Sequence, residues 1–185
     1  MKDLILIGPQ GSGKGTQGKI LAEKYGFKIF ETGGELRRLA EEDSDLGRKV
    51  NEIITRGDLV SNDLVMEIVA NFIEGLEGDV PVIFDGIPRS EEQRQSLEVL
   101  LSQKGRDFTA LEVHVPEDVT FDRLFKRAEI EGRADDNEES IKRRLENYYK
   151  HTLPILDKFR EEDKLVSVDG VGTLEEIQER IVASL

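Results

Sequence analysis

The feature that most constrains this chain is a glycine-rich loop that follows directly on a short apolar segment. Residues 4–7 are continuously apolar, and residues 8–17 then read Gly-Pro-Gln-Gly-Ser-Gly-Lys-Gly-Thr-Gln. Such glycines allow a tight turn whose N–H groups point inward, the lysine adds a positive charge, and a following helix presents its positive end. The pattern predicts a phosphate cradle after the first strand. Its expected members are Gly11, Ser12, Gly13, Lys14, Gly15 and Thr16.

The residue after Lys14 departs from the general form of this loop. A Ser or Thr commonly stands there and binds Mg²⁺ through its hydroxyl, whereas this chain has Gly15 and a threonine one position later, at Thr16. We therefore expect Mg²⁺ to be held mostly by phosphate oxygens and water, with no metal site made by the protein alone.

Short apolar runs alternate with helical patterns along the chain. The predicted strands are residues 4–7, 28–30, 80–84, 111–115 and 165–168. The predicted helices are residues 15–25, 34–42, 62–76, 90–104, 118–128, 137–159 and 173–185. Strands that alternate with helices predict a parallel sheet covered on both faces, an α/β fold. No linker rich in Pro, Gly or Ser divides the chain, so we expect a single domain over residues 1–185.

Composition excludes several classes of function. The chain carries 39 acidic and 26 basic residues, a net charge of −13, which disfavours binding to nucleic acid because phosphate backbones attract basic faces. No run approaches the roughly 20 apolar residues that span a bilayer, and the amino terminus is too short and acidic for a signal peptide. With 0 Cys, disulfides and thiolate zinc sites are excluded. We expect a soluble cytoplasmic protein with small-molecule partners and no membrane partner.

The Gly-Lys-Gly-Thr-Gln variant of the loop resembles the nucleoside monophosphate kinases, and among them the adenylate kinases. Other motifs follow in that family's order from Leu4 to the last helix. They are Thr-Gly-Gly-Glu-Leu-Arg at 32–37, Gly-Asp-Leu-Val at 57–60, Asp-Gly-Ile-Pro-Arg-x-x-x-Gln at 85–93, Asp-Arg at 122–123, Lys-Arg at 126–127, Gly-Arg-Ala-Asp-Asp at 132–136, Lys-Arg-Arg-Leu at 142–145 and Tyr-x-x-x-Thr-x-Pro at 148–154.

The resemblance implies a three-layer P-loop fold with a central five-stranded parallel sheet. It also implies a helical lobe at residues 31–60 that binds the acceptor monophosphate, and a short lid at residues 123–136 without zinc. The expected reaction is reversible, Mg²⁺-dependent transfer between ATP and AMP that gives two ADP, catalysed by a monomer. Transfer between two anions demands in-line positioning and several fixed cations rather than covalent help from the protein.

The same resemblance assigns roles to individual residues. The residues expected to act in catalysis are Lys14, Asp85, Arg89, Arg123, Arg127, Arg133 and Arg144. On the ATP side, Arg123, Arg127 and Gly172 join the phosphate cradle. On the AMP side, the expected residues are Thr32, Arg37, Leu59, Val60, Gly86, Arg89, Gln93, Arg133 and Arg144. Arg38 and Arg143 are expected to pair with surface carboxylates, and neither His114 nor His151 is expected to be catalytic.

Two pairs of positions leave the acceptor and the activity open. Thr32 and Gln93 favour adenine, because pyrimidine-specific relatives usually have Ala and Asn there, yet a UMP, CMP or other monophosphate kinase remains an alternative. Gly34 stands where the family has an acidic residue, and Glu31 stands where the family commonly has Ser. Either Glu35 supplies the missing carboxylate or the site has lost it, and a weakly active nucleotide sensor is the second alternative.

Overall fold

The computed structural model of the chain describes residues 2–120, 123–124 and 137–185. The strands are β1 (Asp3–Ile7), β2 (Lys28–Glu31), β3 (Val82–Asp85), β4 (Phe108–His114) and β5 (Leu165–Asp169). The helices are α1 (Lys14–Tyr25), α2 (Thr32–Ala40), α3 (Asp45–Thr55), α4 (Asn62–Glu74), α5 (Glu91–Gln103), α6 (Glu138–Asn147), α7 (Leu153–Glu161) and α8 (Leu174–Ser184). Residues 117–120 and 123–124 are also helical, and a π-helical turn, Tyr148–Thr152, joins α6 to α7.

The five strands form one parallel sheet in the order β2-β3-β1-β4-β5, which confirms the predicted α/β class. The chain leaves β1 toward one side of the sheet and leaves β3 toward the other side. The carboxyl end of β1 therefore lies at a topological switch point, where open α/β sheets bind their ligands. In register, Leu6 of β1 lies beside Asp85 of β3, and Asp85 lies beside Glu31 of β2.

Two apolar cores cover the two faces of the sheet. Successive side chains of a strand point to opposite faces, so Ile5 and Ile7 join one core while Leu4 and Leu6 join the other. Helices α2, α3, α4, α5 and α7 cover the first face, and helices α1 and α8 cover the second. Gly18 lets α1 lie close to β1, because a Cβ there would come within 2.7 Å of Leu6 Cδ1.

Apart from shifts of one or two residues at the ends of other elements, the predicted elements differ from the observed ones in three places. Helix α3 was not predicted, although Ser44 caps its first turn and Val50, Ile53 and Ile54 give it an apolar side. The predicted helix over 137–159 is divided by the π-helical turn ahead of Pro154, a residue that has no N–H to give to a continuous helix.

The third difference concerns strand bounds. Strand β3 begins at Val82 rather than 80, since Pro81 cannot donate to the ladder. Strand β4 begins at Phe108 rather than 111, because its first residues pair with Asp3 and Leu4 of β1. Over the described ranges, no helix is long and apolar enough to cross a membrane.

Candidate active site

A cleft lies over the carboxyl ends of β1, β2 and β3, and it gathers most of the predicted acceptor-side residues. Each strand contributes at its end: the loop after β1, Glu31 from β2 and Asp85 from β3. The cleft is lined by Gln10, Lys14, Glu31, Thr32, Gly33, Leu36, Arg37, Ile54, Gly57, Asp58, Leu59, Val60, Val65, Asp85, Gly86, Arg89, Gln93 and Arg144. Four of these are cationic and three are acidic, and the four cations can bind a ligand with several negative charges.

The loop after β1 has the geometry of a phosphate cradle. Gly11 and Gly13 have φ of +81° and +88°, a conformation that favours glycine. Gly13 precedes α1 without a side-chain cap, which leaves the first N–H groups of that helix available to an anion. Lys14 begins the helix, with its Nζ 3.4 Å from the carbonyl oxygen of Pro9, whereas Thr16 is exposed.

Three hydrogen bonds fix Arg89 at the edge of the cleft. Its Nε donates to the carbonyl oxygen of Gly86 at 2.8 Å, and its backbone N–H donates to Oε1 of Gln93 at 2.8 Å. Its own carbonyl oxygen accepts from Oγ1 of Thr152 at 3.0 Å. Gly86 has a φ of +86°, and a Cβ there would come within 3.0 Å of the Arg89 guanidinium. The guanidinium is thus positioned before any ligand binds.

The predicted base-binding residues lie together on the acceptor side. Thr32 is buried at the start of α2, and its hydroxyl has no hydrogen-bond partner among the described residues. Gln93 uses its amide oxygen for Arg89, while none of the described hydrogen bonds uses its amide N–H donors. Leu59 and Val60 line the same part of the cleft. A buried hydroxyl and amide donors beside apolar side chains suit a planar ring with polar edges.

Helix α6 ties the segment ahead of Leu59 to the body of the protein. Nδ2 of Asn147 donates to the carbonyl oxygen of Gly57 at 3.1 Å, and Arg143 pairs with Asp58. Arg144, on the same side of the helix, donates to Oε1 of Gln10 at 3.2 Å. Asn147 and Gln10 were not singled out from the sequence. The signal for Asn147 was its spacing of three from Arg144, which places both on one helix face.

Arg123 lies on the other side of the phosphate loop. Its guanidinium donates to the carbonyl oxygens of Ser12 and Gly170, each at 3.1 Å, and so joins the loop to the segment after β5. Gly172 lies in that segment, outside the cleft described above. Arg127 and Arg133, two predicted catalytic residues, fall outside the described residues, as does most of the predicted lid at 123–136.

The remaining predicted cations and both histidines do not line the cleft. Arg38 is exposed and bonds Glu35 and Glu42, and Arg143 pairs with Asp58 as described, so both have the carboxylate partners that were expected. His114 is the exposed last residue of β4, and His151 lies in the π-helical turn. Neither histidine lines the cleft.

Comparison with known proteins gives a consistent result. The sequence model of the Adenylate kinase family matches residues 6–164 of this chain. An adenylate kinase of Thermus thermophilus is 43% identical over 183 residues, which cover 98% of this chain and 96% of that protein. Adenylate kinases of Bacteroides thetaiotaomicron and Maricaulis maris are 38% and 39% identical, and each alignment covers at least 94% of both chains.

Proposed function

The chain belongs to the adenylate kinase family, and we propose that it catalyses the reversible transfer of a phosphoryl group from ATP to AMP, giving two ADP. As a member of that family it is a phosphotransferase of the nucleoside monophosphate kinase type. One observation carries the proposal: a single cleft beside the phosphate loop brings Lys14 together with Arg37, Arg89 and Arg144. Two nucleotides that are bound with their phosphates end to end need such a cluster of cations, because the phosphates repel each other until cations neutralise them.

In the proposed reaction, an oxygen of the AMP phosphate attacks the γ-phosphorus of ATP. The bond from that phosphorus to the β,γ-bridging oxygen breaks, and the bridging oxygen stays with the departing ADP. Arg37 and Arg89 would bind the acceptor phosphate, because a planar guanidinium can donate two parallel hydrogen bonds to phosphate oxygens. Lys14 would lie against the β- and γ-phosphates, and Arg144 beside the transferring group.

The donor side rests on the phosphate loop and on Arg123. We propose that the backbone N–H groups of Gly11, Gly13 and Gly15 surround the ATP phosphates, with Arg123 held close by its bond to Ser12. Gly172 would approach the adenine end of ATP. Arg127 is proposed to close on the triphosphate from the lid at residues 123–136, and Arg133, from the same lid, is proposed to bridge towards the transferring group. Closure of that lid and of the lobe at residues 31–60 would exclude water and so suppress hydrolysis of ATP.

Magnesium is proposed to arrive with ATP rather than to reside in the protein. Within residues 2–120, 123–124 and 137–185, no group of three or more His, Asp or Glu side chains could hold a metal ion. Asp85, at the end of β3 in the cleft, offers a single carboxylate. That fits an ion held mainly by phosphate oxygens and water, with Asp85 orienting the water. The ion supplies charge neutralisation on the transferring phosphates when bound.

Adenine is the proposed acceptor base. The buried hydroxyl of Thr32 and the amide N–H donors of Gln93 lie on the same side of the cleft as Leu59 and Val60. Adenine presents both a ring nitrogen that accepts and an amino group that donates, so it can use both side chains.

The test is the rate of ADP formation from ATP and Mg²⁺ with AMP, dAMP, CMP and UMP as separate acceptors. We expect AMP to give the highest kcat/KM. A preference for CMP or UMP would establish a pyrimidine monophosphate kinase. Binding of ATP and AMP without ADP formation, in a preparation whose melting is cooperative, would establish a nucleotide sensor. Sedimentation-equilibrium centrifugation in the presence of ATP, Mg²⁺ and AMP would test whether the protein is a monomer, as proposed.

A further inference from the structure

We propose that Glu31 is a positioning residue of the acceptor-phosphate subsite, which holds the guanidinium of Arg37 from beside position 34. The inference rests on the proposed function, because it assumes that Arg37 binds the phosphate of the acceptor. It resolves where the acidic group of this subsite comes from in a chain that has glycine at position 34.

The contact that carries the inference is direct. Oε1 of Glu31 accepts a hydrogen bond from a terminal nitrogen of Arg37 at 3.1 Å, and both side chains line the cleft. Glu31 ends β2 and precedes α2, while Arg37 lies in the second turn of α2. Both side chains are about one-third exposed, at 37% and 32%, so water only partly screens the pair. A hydrogen bond between two charged groups restricts the directions that the long arginine side chain can take.

The side chain of Glu31 lies beside position 34, at ordinary van der Waals distance from where a Cβ would stand. A Cβ built on Gly34 would have as its nearest neighbours Cβ, Cδ and Cγ of Glu31, at 3.7, 3.7 and 3.9 Å. Position 34 is three residues before Arg37 in the same helix, so a carboxylate there would also face that arginine. The two positions thus offer alternative routes for one carboxylate to reach one guanidinium, and this chain uses the earlier position.

Glu35 does not take this role. Its Oε2 accepts from Nε of Arg38 at 3.2 Å, and Arg38 also bonds Glu42. Arg38 is 67% exposed, which places this group on the outer side of α2. The sequence left two possibilities open: Glu35 supplies the carboxylate, or the carboxylate is lost. The contacts favour neither, because they place Glu31 against Arg37.

The surroundings explain why Arg37 needs a partner. Lys14, Arg89 and Arg144 line the same cleft and repel the Arg37 guanidinium, while Asp58 and Asp85, which also line it, offset part of that repulsion. Glu31 counters the remaining repulsion through its direct contact with Arg37. Preorganising a ligand-binding side chain lowers the entropy lost on binding.

The first test compares Glu31→Gln and Glu31→Ser with Glu35→Gln, a control that removes the neighbouring carboxylate on the outer side of the helix. We expect the KM for AMP, and the Kd for AMP measured by calorimetry without ATP, to rise about threefold for Gln and about tenfold for Ser. The KM for ATP should not change, and Glu35→Gln should match the wild type. Equal melting temperatures across the set would establish that the fold is intact.

Two further variants test the route through Arg37. Glu31→Ser combined with Gly34→Asp should recover most of the AMP affinity lost in Glu31→Ser alone. In an Arg37→Lys background, Glu31→Gln should have no further effect on AMP binding. The proposal is overturned if Glu31→Gln tightens AMP binding, since the carboxylate would then compete with the phosphate. It is also overturned if the double variant recovers nothing, or if only the Mg²⁺ requirement changes. Absence of AMP turnover and binding in the wild type would instead refute the proposed function itself.

Discussion

A Cβ on Gly15 would lie 2.9 Å from Oδ2 of Asp85. Asp85 ends β3 and pairs in register with Leu6 of β1, so its carboxylate stands against the start of α1. A side chain on the residue that follows Lys14 would therefore have to displace the Asp85 carboxylate from its present position. Gly15 and Asp85 form one arrangement, in which the glycine lets an acidic side chain from the neighbouring strand lie against the start of α1.

Replacing Gly15 should disturb the site more than the fold. In Gly15→Ser and Gly15→Ala we expect the Asp85 side chain to move, and kcat to fall by about tenfold to a hundredfold. Alanine and serine should behave alike, because the cause is the Cβ and not the hydroxyl. Gly75→Ala is the control, since that glycine has a φ of −79° and its nearest neighbours lie at 3.5 Å. Steady-state kinetics and thermal melting measure both effects, and an unchanged kcat in Gly15→Ser would contradict the prediction.

Removing the charge of Lys14 should remove most of the activity. In Lys14→Ala we expect kcat to fall by at least a hundredfold, about 3 kcal/mol of transition-state stabilisation. Lys19→Ala removes an exposed lysine on the same helix and should leave kcat unchanged. Both variants should melt at the wild-type temperature. Turnover retained in Lys14→Ala would show that the lysine does not contact the transferring phosphate.

Thr32→Val should separate binding from stability. The Thr32 hydroxyl is buried without a hydrogen-bond partner among the described residues, so replacing it with a methyl group should leave stability unchanged or raise it. The KM for AMP should rise about fivefold, because a ligand would lose its partner in the cleft. In Thr120→Val, by contrast, a hydroxyl that donates to Pro116 at 3.0 Å is lost, and stability should fall by about 1 kcal/mol. Lower stability with unchanged AMP binding in Thr32→Val would refute this assignment.

Acid should weaken the ion-pair network around Arg94. Arg94 is nearly buried and bonds Glu91, Glu98 and Glu162, which joins α5 to the end of α7. The hydrogen bond from Arg94 lowers the pKa of Glu91 from its ordinary value of 4.5, and bonds from Lys164 and then Arg94 lower the pKa of Glu162. A pKa lower in the folded state means that the stabilisation is complete above 4.5 and is lost as the pH falls through the folded values.

Arg94→Met measures this contribution. We expect unfolding in urea to show a loss of about 2 kcal/mol at pH 7, less than for a fully buried pair because the three carboxylates are partly exposed. The difference in the free energy of unfolding between wild type and variant should become smaller as the pH falls from about 5 to about 3. Arg48→Met, which removes an exposed arginine paired with Asp43 and Asp45, should change stability little at either pH. If that difference in the free energy of unfolding did not change with pH, packing rather than charge would be what stabilises this region.

Sequence patterns predicted the architecture because strands and phosphate loops are defined by residues close together in the chain. The run of apolar residues at 4–7 and the glycines of the following loop act locally, and both are confirmed in β1 and the turn after it. Helix α3 was missed because Gly47 and several charged residues obscure its apolar side in the sequence. In the structure Gly47 is buried, and a Cβ there would lie 2.3 Å from the carbonyl oxygen of Glu42, so the position needs glycine. A contact of that kind exists only after folding.

The resemblance to the family's motifs at 32–37 and 85–93 likewise singled out Arg37, Arg89 and Gln93. Only the tertiary structure decided what those side chains meet. Arg144 reaches Gln10 across 134 residues of chain, and the Gly15 and Asp85 positions meet because β1 and β3 are neighbours in the sheet. Local sequence sets backbone conformation within a turn or a helix, whereas the strand order brings distant side chains to one edge. Glu31 shows the difference: the sequence left open whether Glu35 supplies a carboxylate or the site has lost it, and packing placed Glu31 against Arg37 and Glu35 against Arg38.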